Sequence, residues 1–270
     1  MKRITKIPGF PSRAEAGHKG SFGTLAVLAG SAGMLGAAIL TARGALRGGL
    51  GLCRVCLPAD LMAPFTVAVP AATTLKRVDS LRGFLEGATA MVLGPGLGRS
   101  KAGGVQVHRA IATATVAGVL DADALNLLAP LKSRPWSGRS PSVLTPHPGE
   151  AARLLGSSSA AIQEDRRAAV EELAARTGQI AVLKGQGTLV CDGSRMFHNR
   201  SGNDGLATGG SGDVLAGLIG ALLAQGMEPF EAACLGVHVH GKAGDLVARR
   251  LSKPGLIAED LPLAIAEVMR

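Results

Sequence analysis

Short, unbroken apolar runs that stop at a glycine or a charged residue recur along this 270-residue chain, and they restrict its fold more than any other feature. Thr24-Leu25-Ala26-Val27-Leu28-Ala29 stops at Gly30, and Ala88-Thr89-Ala90-Met91-Val92-Leu93 at Gly94. Ala117-Gly118-Val119-Leu120 stops at Asp121, and Gln179-Ile180-Ala181-Val182-Leu183 at Lys184. A strand with one wet face alternates apolar and polar residues, whereas runs without alternation suit parallel strands covered on both sides. Helical patterns separate the runs. An α/β fold is expected over residues 1–270 as a single domain: a mostly parallel central sheet with helices on both faces.

Finer expectations follow from local signals. Ser31 caps a helix running to about Gly48, and strands lie near 53–57 and 66–69. A helix covers about 102–113, and short helices end near 128 and 155. Residues 163–177 read as one amphipathic helix stopped by Gly178, and Asp192-Gly193 joins a hairpin of 188–191 with 195–198. Helices over 213–225, 229–250 and 257–269 finish the chain. Residues 132–141, rich in Ser, Pro and Gly, read as a surface loop.

The clearest chemistry lies in Asn203-Asp204-Gly205-Leu206-Ala207-Thr208-Gly209-Gly210-Ser211-Gly212-Asp213, which passes directly into an apolar helix. Glycines let backbone N–H groups converge, and a helix start adds unpaired donors with partial positive charge. Such a loop suits an anion, most often phosphate. Asp213 would repel phosphate, so a base that takes a proton from a hydroxyl facing it is the better role. Together they suggest phosphoryl transfer.

Other motifs sit just past strands, and the strand ends at Gly94, Asp121, Thr145 and Lys184 should share one sheet edge, where ligands bind in such folds. Gly94-Pro95-Gly96-Leu97-Gly98 fails as a dinucleotide fingerprint because Arg99 stands where the third glycine belongs; it reads as a turn lining a crevice. In Thr145-Pro146-His147-Pro148-Gly149-Glu150, His147 is a substrate contact and Glu150 a metal-water or phosphate-linked group, or the two are a helix cap. Lys184 in Lys184-Gly185-Gln186-Gly187-Thr188 can meet a phosphate as a point charge. Asp121 and Asp123 orient hydroxyls or magnesium waters, or form a plain turn. His18 and Lys19 lie either in a phosphate-facing loop or in an entry segment. His238 and His240, two apart on a helix, point about 200° from one another, so packing or one hydrogen bond is expected rather than shared ligation.

Composition narrows the partners. The net charge is +9, yet the basic residues are scattered and aromatics total 3% with no tyrosine. A base-stacking surface is thus poorly supported, and no nucleic-acid partner is expected. Anionic metabolites and a merely solvated basic surface remain as readings. Nowhere do about 18 apolar residues run uninterrupted, and no signal core follows the basic amino end. No membrane association and a cytoplasmic location are expected. Cys53 and Cys56 match C-x-x-C, but three apart on a strand they face opposite sides and would not converge on a metal.

In order, 18–23, 30–38, 94–98, 121–126, 145–150, 184–188 and 203–213 resemble the motifs of the NAD(P)H-hydrate dehydratases, a metabolite-repair family of the ribokinase-like superfamily. The resemblance spans about residues 18–245. It implies a nucleotide-driven dehydration, with ADP or ATP used to remove water from hydrated NADH or NADPH. It places the nucleotide on Lys184, Gly185, Gln186, Gly187 and Thr188, and on Asn203, Gly205, Leu206, Ala207, Thr208, Gly209, Gly210, Ser211 and Gly212. It places the hydrated nicotinamide on Ala38, Gly96, Gly98, His147, Glu150, Arg153 and Asp213, with Asp213 catalytic. It further implies Mg2+ screening the phosphates, on ligands left unassigned, and a homo-oligomer such as a tetramer. The epimerase domain fused in some relatives is expected to be absent. Superfamily kinases often carry Asn-x-x-Glu where this chain has His147-Pro148-Gly149-Glu150, which leaves the metal-linked role of Glu150 open. Two alternatives stand beside this one: a kinase of the same superfamily acting on a vitamin-precursor alcohol, and a nucleotide-sensing module without turnover.

Overall fold

The computed structural model describes residues 1–13, 15–78, 81, 83–131 and 140–270; the expected loop at 132–141 falls mostly outside them. The strands are β1 (Lys2–Ile4), β2 (Thr24–Leu28), β3 (Leu52–Leu57), β4 (Thr73–Lys76), β5 (Ala90–Leu93), β6 (Ala117–Leu120), β7 (Ser142–Leu144), β8 (Ile180–Leu183), β9 (Leu189–Cys191) and β10 (Arg195–His198). The helices are α1 (Leu35–Arg47), α2 (Ala59–Ala68), α3 (Lys101–Thr113), α4 (Asp123–Leu128), α5 (Pro148–Leu155), α6 (Ser159–Glu164), α7 (Arg166–Thr177), α8 (Ser211–Ala224), α9 (Pro229–Arg250) and α10 (Asp260–Val268).

The strands form one sheet in the order β1-β10-β9-β8-β7-β6-β5-β2-β3-β4. All neighbouring pairs among the described residues are parallel except β8 with β9 and β9 with β10. Only β9 therefore runs against the rest, and β10 and β1 end at the same edge as β5 to β8. Side chains alternate between two apolar layers. Val27, Val92, Val119, Val143 and Val182 pack under α1, α8, α9 and α10. Leu28, Leu93, Leu120, Leu144 and Leu183 pack under α3, α4, α5 and α7. The mostly parallel sheet covered on both faces is as expected. Cys53 and Cys56 are free and buried on opposite layers. No described helix is long and apolar enough to cross a membrane.

Several local expectations are corrected. Residues 66–69 belong to α2 and its cap rather than to a strand; Leu61, Phe65 and Val69 recur every four residues against the core, while Val67 is 84% exposed. Residues 163–177 form two helices, because Asp165 accepts from Ala168 N and starts α7 anew. Ser31 does not cap α1; its hydroxyl donates to the Gly96 carbonyl at 2.9 Å and ties that loop to the 94–98 turn. The last helix begins at Asp260, whose carboxylate accepts from Ile257 N. β1 pairs with β10 by its backbone, which the charged Lys2 and Arg3 conceal in sequence.

α8 meets α1 almost backbone to backbone. A Cβ on Gly217 would lie 2.0 Å from the Thr41 carbonyl oxygen, and one on Gly44 would lie 2.5 Å from that of Val214. This crossing fixes where the amino end of α8 emerges at the sheet edge. Gly217→Ala is expected to destabilise the fold by about 1–3 kcal/mol through overpacking, although alanine is the better helix former. A lower urea midpoint checks it; an unchanged midpoint would mean the helices have room to part.

Candidate active site

The carboxyl ends of β6, β7 and β8 bring Asp121, Thr145, His147 and Lys184 to one edge, and α8 delivers Ser211, Gly212 and Asp213 beside them. All but the buried Thr145 border a cavity of about 1300 Å³ that also takes in Glu150, 185–188 and most of 198–213. Gly210 starts the helix with φ +89°, a conformation that favours glycine. No side chain among the described residues caps α8. Among the described residues the N–H groups of Gly212 and Asp213 find no acceptor, so two donors and the positive end of α8 face the cavity.

Lys184 sits among carboxylates rather than free for a phosphate. Its Nζ lies 2.7 Å from Asp121 Oδ1 and 3.9 Å from Glu150 Oε2. A Cβ on Gly212 would be 3.1 Å from the same nitrogen, so the ammonium also stands against the helix start. Asp121, 1% exposed, accepts in addition from Thr145 Oγ1 at 2.8 Å. Burial works to lower the Lys184 pKa, but Asp121 and Glu150 outweigh it and hold the ammonium charged. The Asp213 carboxyl is pushed up to about 7, chiefly by burial and then by Asp121, with Lys184 opposing. Glu150 is also raised, first by burial. A carboxyl poised near neutrality is suited to exchange a proton.

His147 and Glu150 form a reciprocal cap on α5: His147 Nδ1 accepts from Gly149 N at 3.0 Å, and Glu150 Oε2 accepts from His147 N at 2.8 Å. Capping and function are thus compatible, because Glu150 still faces Lys184 and His147 lines the cavity. Burial, Lys184 and Arg153 lower the His147 pKa, leaving a neutral ring with its proton on Nε2.

His240 carries a single hydrogen-bonded contact region, away from His238. Its Nε2 lies 3.0 Å from the Ser211 carbonyl oxygen and 3.3 Å from Ser211 Oγ. A carbonyl only accepts, so Nε2 bears the proton and the serine hydroxyl cannot donate to it. Burial drives the ring's pKa down to about 4, which keeps it neutral. The Ser211 hydroxyl proton is therefore left for the cavity. Asp245 braces the neighbouring loop, accepting from Gly202 N and Asn203 Nδ2 at 3.0 Å each. Neither brace is visible in sequence, since each partner lies about 29 to 43 residues away.

Lys184, Gln186, Thr188, Asn203, Leu206, Thr208, Ser211 and Gly212 thus share a cavity with His147, Glu150 and Asp213; Gly205 and Gly209 lie in its loop without lining it. Ala38, Gly96, Gly98 and Arg153 do not line it either. Ala38 is fully buried at the start of α1. Gly98 N donates to Asp123 Oδ2 at 2.9 Å, and Arg153 Nε donates to Asn126 Oδ1 at 2.7 Å. Those residues form the flank toward β5 and α4. His18 caps a short 3-10 turn at Lys19–Phe22, through Gly20 N.

Residues 25–266 match the family described as NAD(P)H-hydrate dehydratase. An ADP-dependent (S)-NAD(P)H-hydrate dehydratase of Neisseria meningitidis is 44% identical over 266 residues, covering 93% of this chain and 86% of that protein. The bifunctional NAD(P)H-hydrate repair enzyme Nnr of Escherichia coli is 43% identical over 92% of this chain but only 48% of its own length. The chain thus spans about half of that bifunctional relative. The crystal structure of an ADP/ATP-dependent NAD(P)H-hydrate dehydratase from Bacillus subtilis, co-crystallized with ATP/Mg2+, superposes with a TM-score of 0.89 at 32% identity, covering 96% of this chain and 93% of that one. The ribokinase of Thermotoga maritima shares the fold at a TM-score of 0.52 and 13% identity, over 90% and 98% of the two chains.

Proposed function

This chain belongs to the NAD(P)H-hydrate dehydratase family, and on that footing we propose that it removes water from the S form of hydrated NADH or NADPH at the expense of ADP or ATP. The observation that carries the mechanism is the pairing of Asp213, held near neutrality, with the unpartnered Gly212 and Asp213 amides in one cavity. Gly185 to Thr188, Asn203, Leu206 to Thr208 and Gly210 to Gly212 receive the nucleotide, while Gly205 and Gly209 shape the loop and Lys184, paired with Asp121, stands against the helix start. His147, Glu150 and Asp213, with Gly96, Gly98 and Arg153 on the flank, receive the hydrated nicotinamide, and the fully buried Ala38 packs behind them.

Asp213 takes the proton of the ring hydroxyl as its oxygen bonds to the terminal phosphorus, and the bond from that phosphorus to the leaving AMP (or ADP) breaks. The helix-start amides stabilise charge on the transferring group, and the Ser211 hydroxyl is free to donate to it. The ring nitrogen then expels phosphate by breaking the carbon–oxygen bond, and loss of a proton from the adjacent ring carbon restores the double bond.

No group of three or more metal-ligating side chains occurs among the described residues. The oxygens of Asp121 and Glu150 around a buried cation nonetheless suit magnesium that keeps its waters. These two would hold it through water, and when bound it supplies neutralisation of phosphate charge. Exposed Leu251, Ile257 and Leu263 near the carboxyl end support a homo-oligomer.

Incubation with hydrated NADH and either nucleotide tests the proposal. Return of the NADH absorbance with phosphate released supports it; a stable phosphorylated product would instead mark a kinase. His240→Ala is expected to raise the nucleotide KM roughly five- to tenfold, because it frees the peptide carrying the anion site, the equivalent of about 1–1.4 kcal/mol. Initial rates at varied nucleotide check this, and an unchanged KM would show that Ser211 holds its place unaided.

A further inference from the structure

A second crevice, of about 330 Å³, opens between the carboxyl ends of β1 and β10 and the helix α9. Its size lies at the lower end for small-molecule sites. Arg3, Arg200 and Lys242, from three separate segments, line it together with His238. None of these three cations has an ion pair or side-chain hydrogen bond among the described residues. The carboxylate in the wall, Asp245, is already committed through both oxygens to Gly202 and Asn203. His238 is held below its ordinary pKa by burial and then by Lys242, so its neutral ring adds a hydrogen-bonding group without adding charge. Three cations against the single carboxylate of Asp245 leave the concavity net positive, and an anion between them relieves their mutual repulsion.

The crevice also touches the nucleotide loop. Arg200 and Ser201 line both cavities. Asp245 joins the crevice wall to Gly202 and Asn203. We propose that this crevice is a second site, selective for a phosphate group, whose occupancy weakens nucleotide binding in the large cavity. The ligand is inorganic phosphate or a small phosphate monoester. An anion beside Arg200 draws on the field that this guanidinium lends to the nucleotide, and by linkage each ligand weakens the other by the same factor. Only the coupling rests on the nucleotide reading of the large cavity.

Calorimetric titrations of inorganic phosphate and, separately, of glycerol 3-phosphate into protein saturated with ADP test this, with ionic strength matched by chloride. One phosphate group is expected to bind per chain, and ADP titrated into phosphate-loaded protein should show a Kd raised roughly two- to fivefold. Binding of both probes assigns free phosphate as sufficient; binding of the monoester alone assigns the ester; either supports the site. Lys242→Glu, at an exposed position, should weaken phosphate binding about tenfold or more and abolish its effect on ADP. ADP affinity without phosphate and the rate of dehydration should stay as in the wild type. Arg3→Glu gives an independent second variant. Absence of binding to the ADP-saturated protein, or wild-type binding by both variants, overturns the proposal. A failure of ADP itself to bind would count against the nucleotide reading and leave the crevice to be titrated directly.

Discussion

Replacing Asp213 with asparagine is expected to cut turnover by about 10²–10⁴-fold while leaving nucleotide affinity within a factor of about three. Asparagine keeps the shape of the side chain but accepts no proton. The same substitution should stabilise the protein at pH 8. The folded-state pKa of Asp213 is raised from 3.8 to about 7, so the native chain holds a proton that the unfolded chain has released over that interval. Stability therefore falls as pH rises from about 4 to about 7, and at pH 8 the buried charge is fully present. Removing it should gain on the order of 1–3 kcal/mol there and little at pH 4. Wild-type kcat/KM should rise with pH through the same region, because the base works only when ionised. Paired melting curves at the two pH values and a pH–rate profile check both statements. A variant that turns over normally would place the base elsewhere, and one equally destabilised at both pH values would deny the burial of charge.

Lys184→Met should be the most damaging change to stability in the site. It removes the cation that lies 2.7 Å from Asp121 and 3.9 Å from Glu150, both almost fully buried. Breaking a buried pair from one side costs about 3–5 kcal/mol. Without the ammonium, Asp213 also loses the group that opposes its raised pKa, so the ascending limb of the rate profile should move to higher pH. Urea unfolding and the rate profile of whatever activity survives provide the measurements. A stability within about 1 kcal/mol of wild type would show that the carboxylates disperse their charge by other means.

How far the sequence discloses this site depends on the range of the contact. The strands β5, β6 and β8 are legible because Met91-Val92-Leu93, Val119-Leu120 and Ala181-Val182-Leu183 leave no polar face to expose. Once those strands are parallel, Asp121 and Lys184 must share an edge. Their direct pairing across 63 residues is not legible, and neither is the choice of a carboxylate over a phosphate. The glycine-rich run before α8 announces an anion site through local chemistry alone. His240 announces nothing, because only the fold sets its ring beneath Ser211. The strand expected at 66–69 failed where β-branched Thr66 and Val67 outweighed the helical spacing of Leu61, Phe65 and Val69. The helix expected over 163–177 failed at Asp165, a good cap placed inside a pattern that otherwise reads as continuous.

The strand β9, the one described strand that runs against the others, bears on how the molecule can vary. Because the chain turns back once along β9 and once more into β10, the segments at 185–188 and 199–212 approach the cavity from the same side. The bend at Asp192-Gly193 sits at the opposite rim of the sheet, as far from the chemistry as that hairpin reaches. Extra residues inserted there would lengthen the path between the two segments without separating them in space. That bend is a place to attach a tag or tether while both ligand-holding stretches keep their relative position.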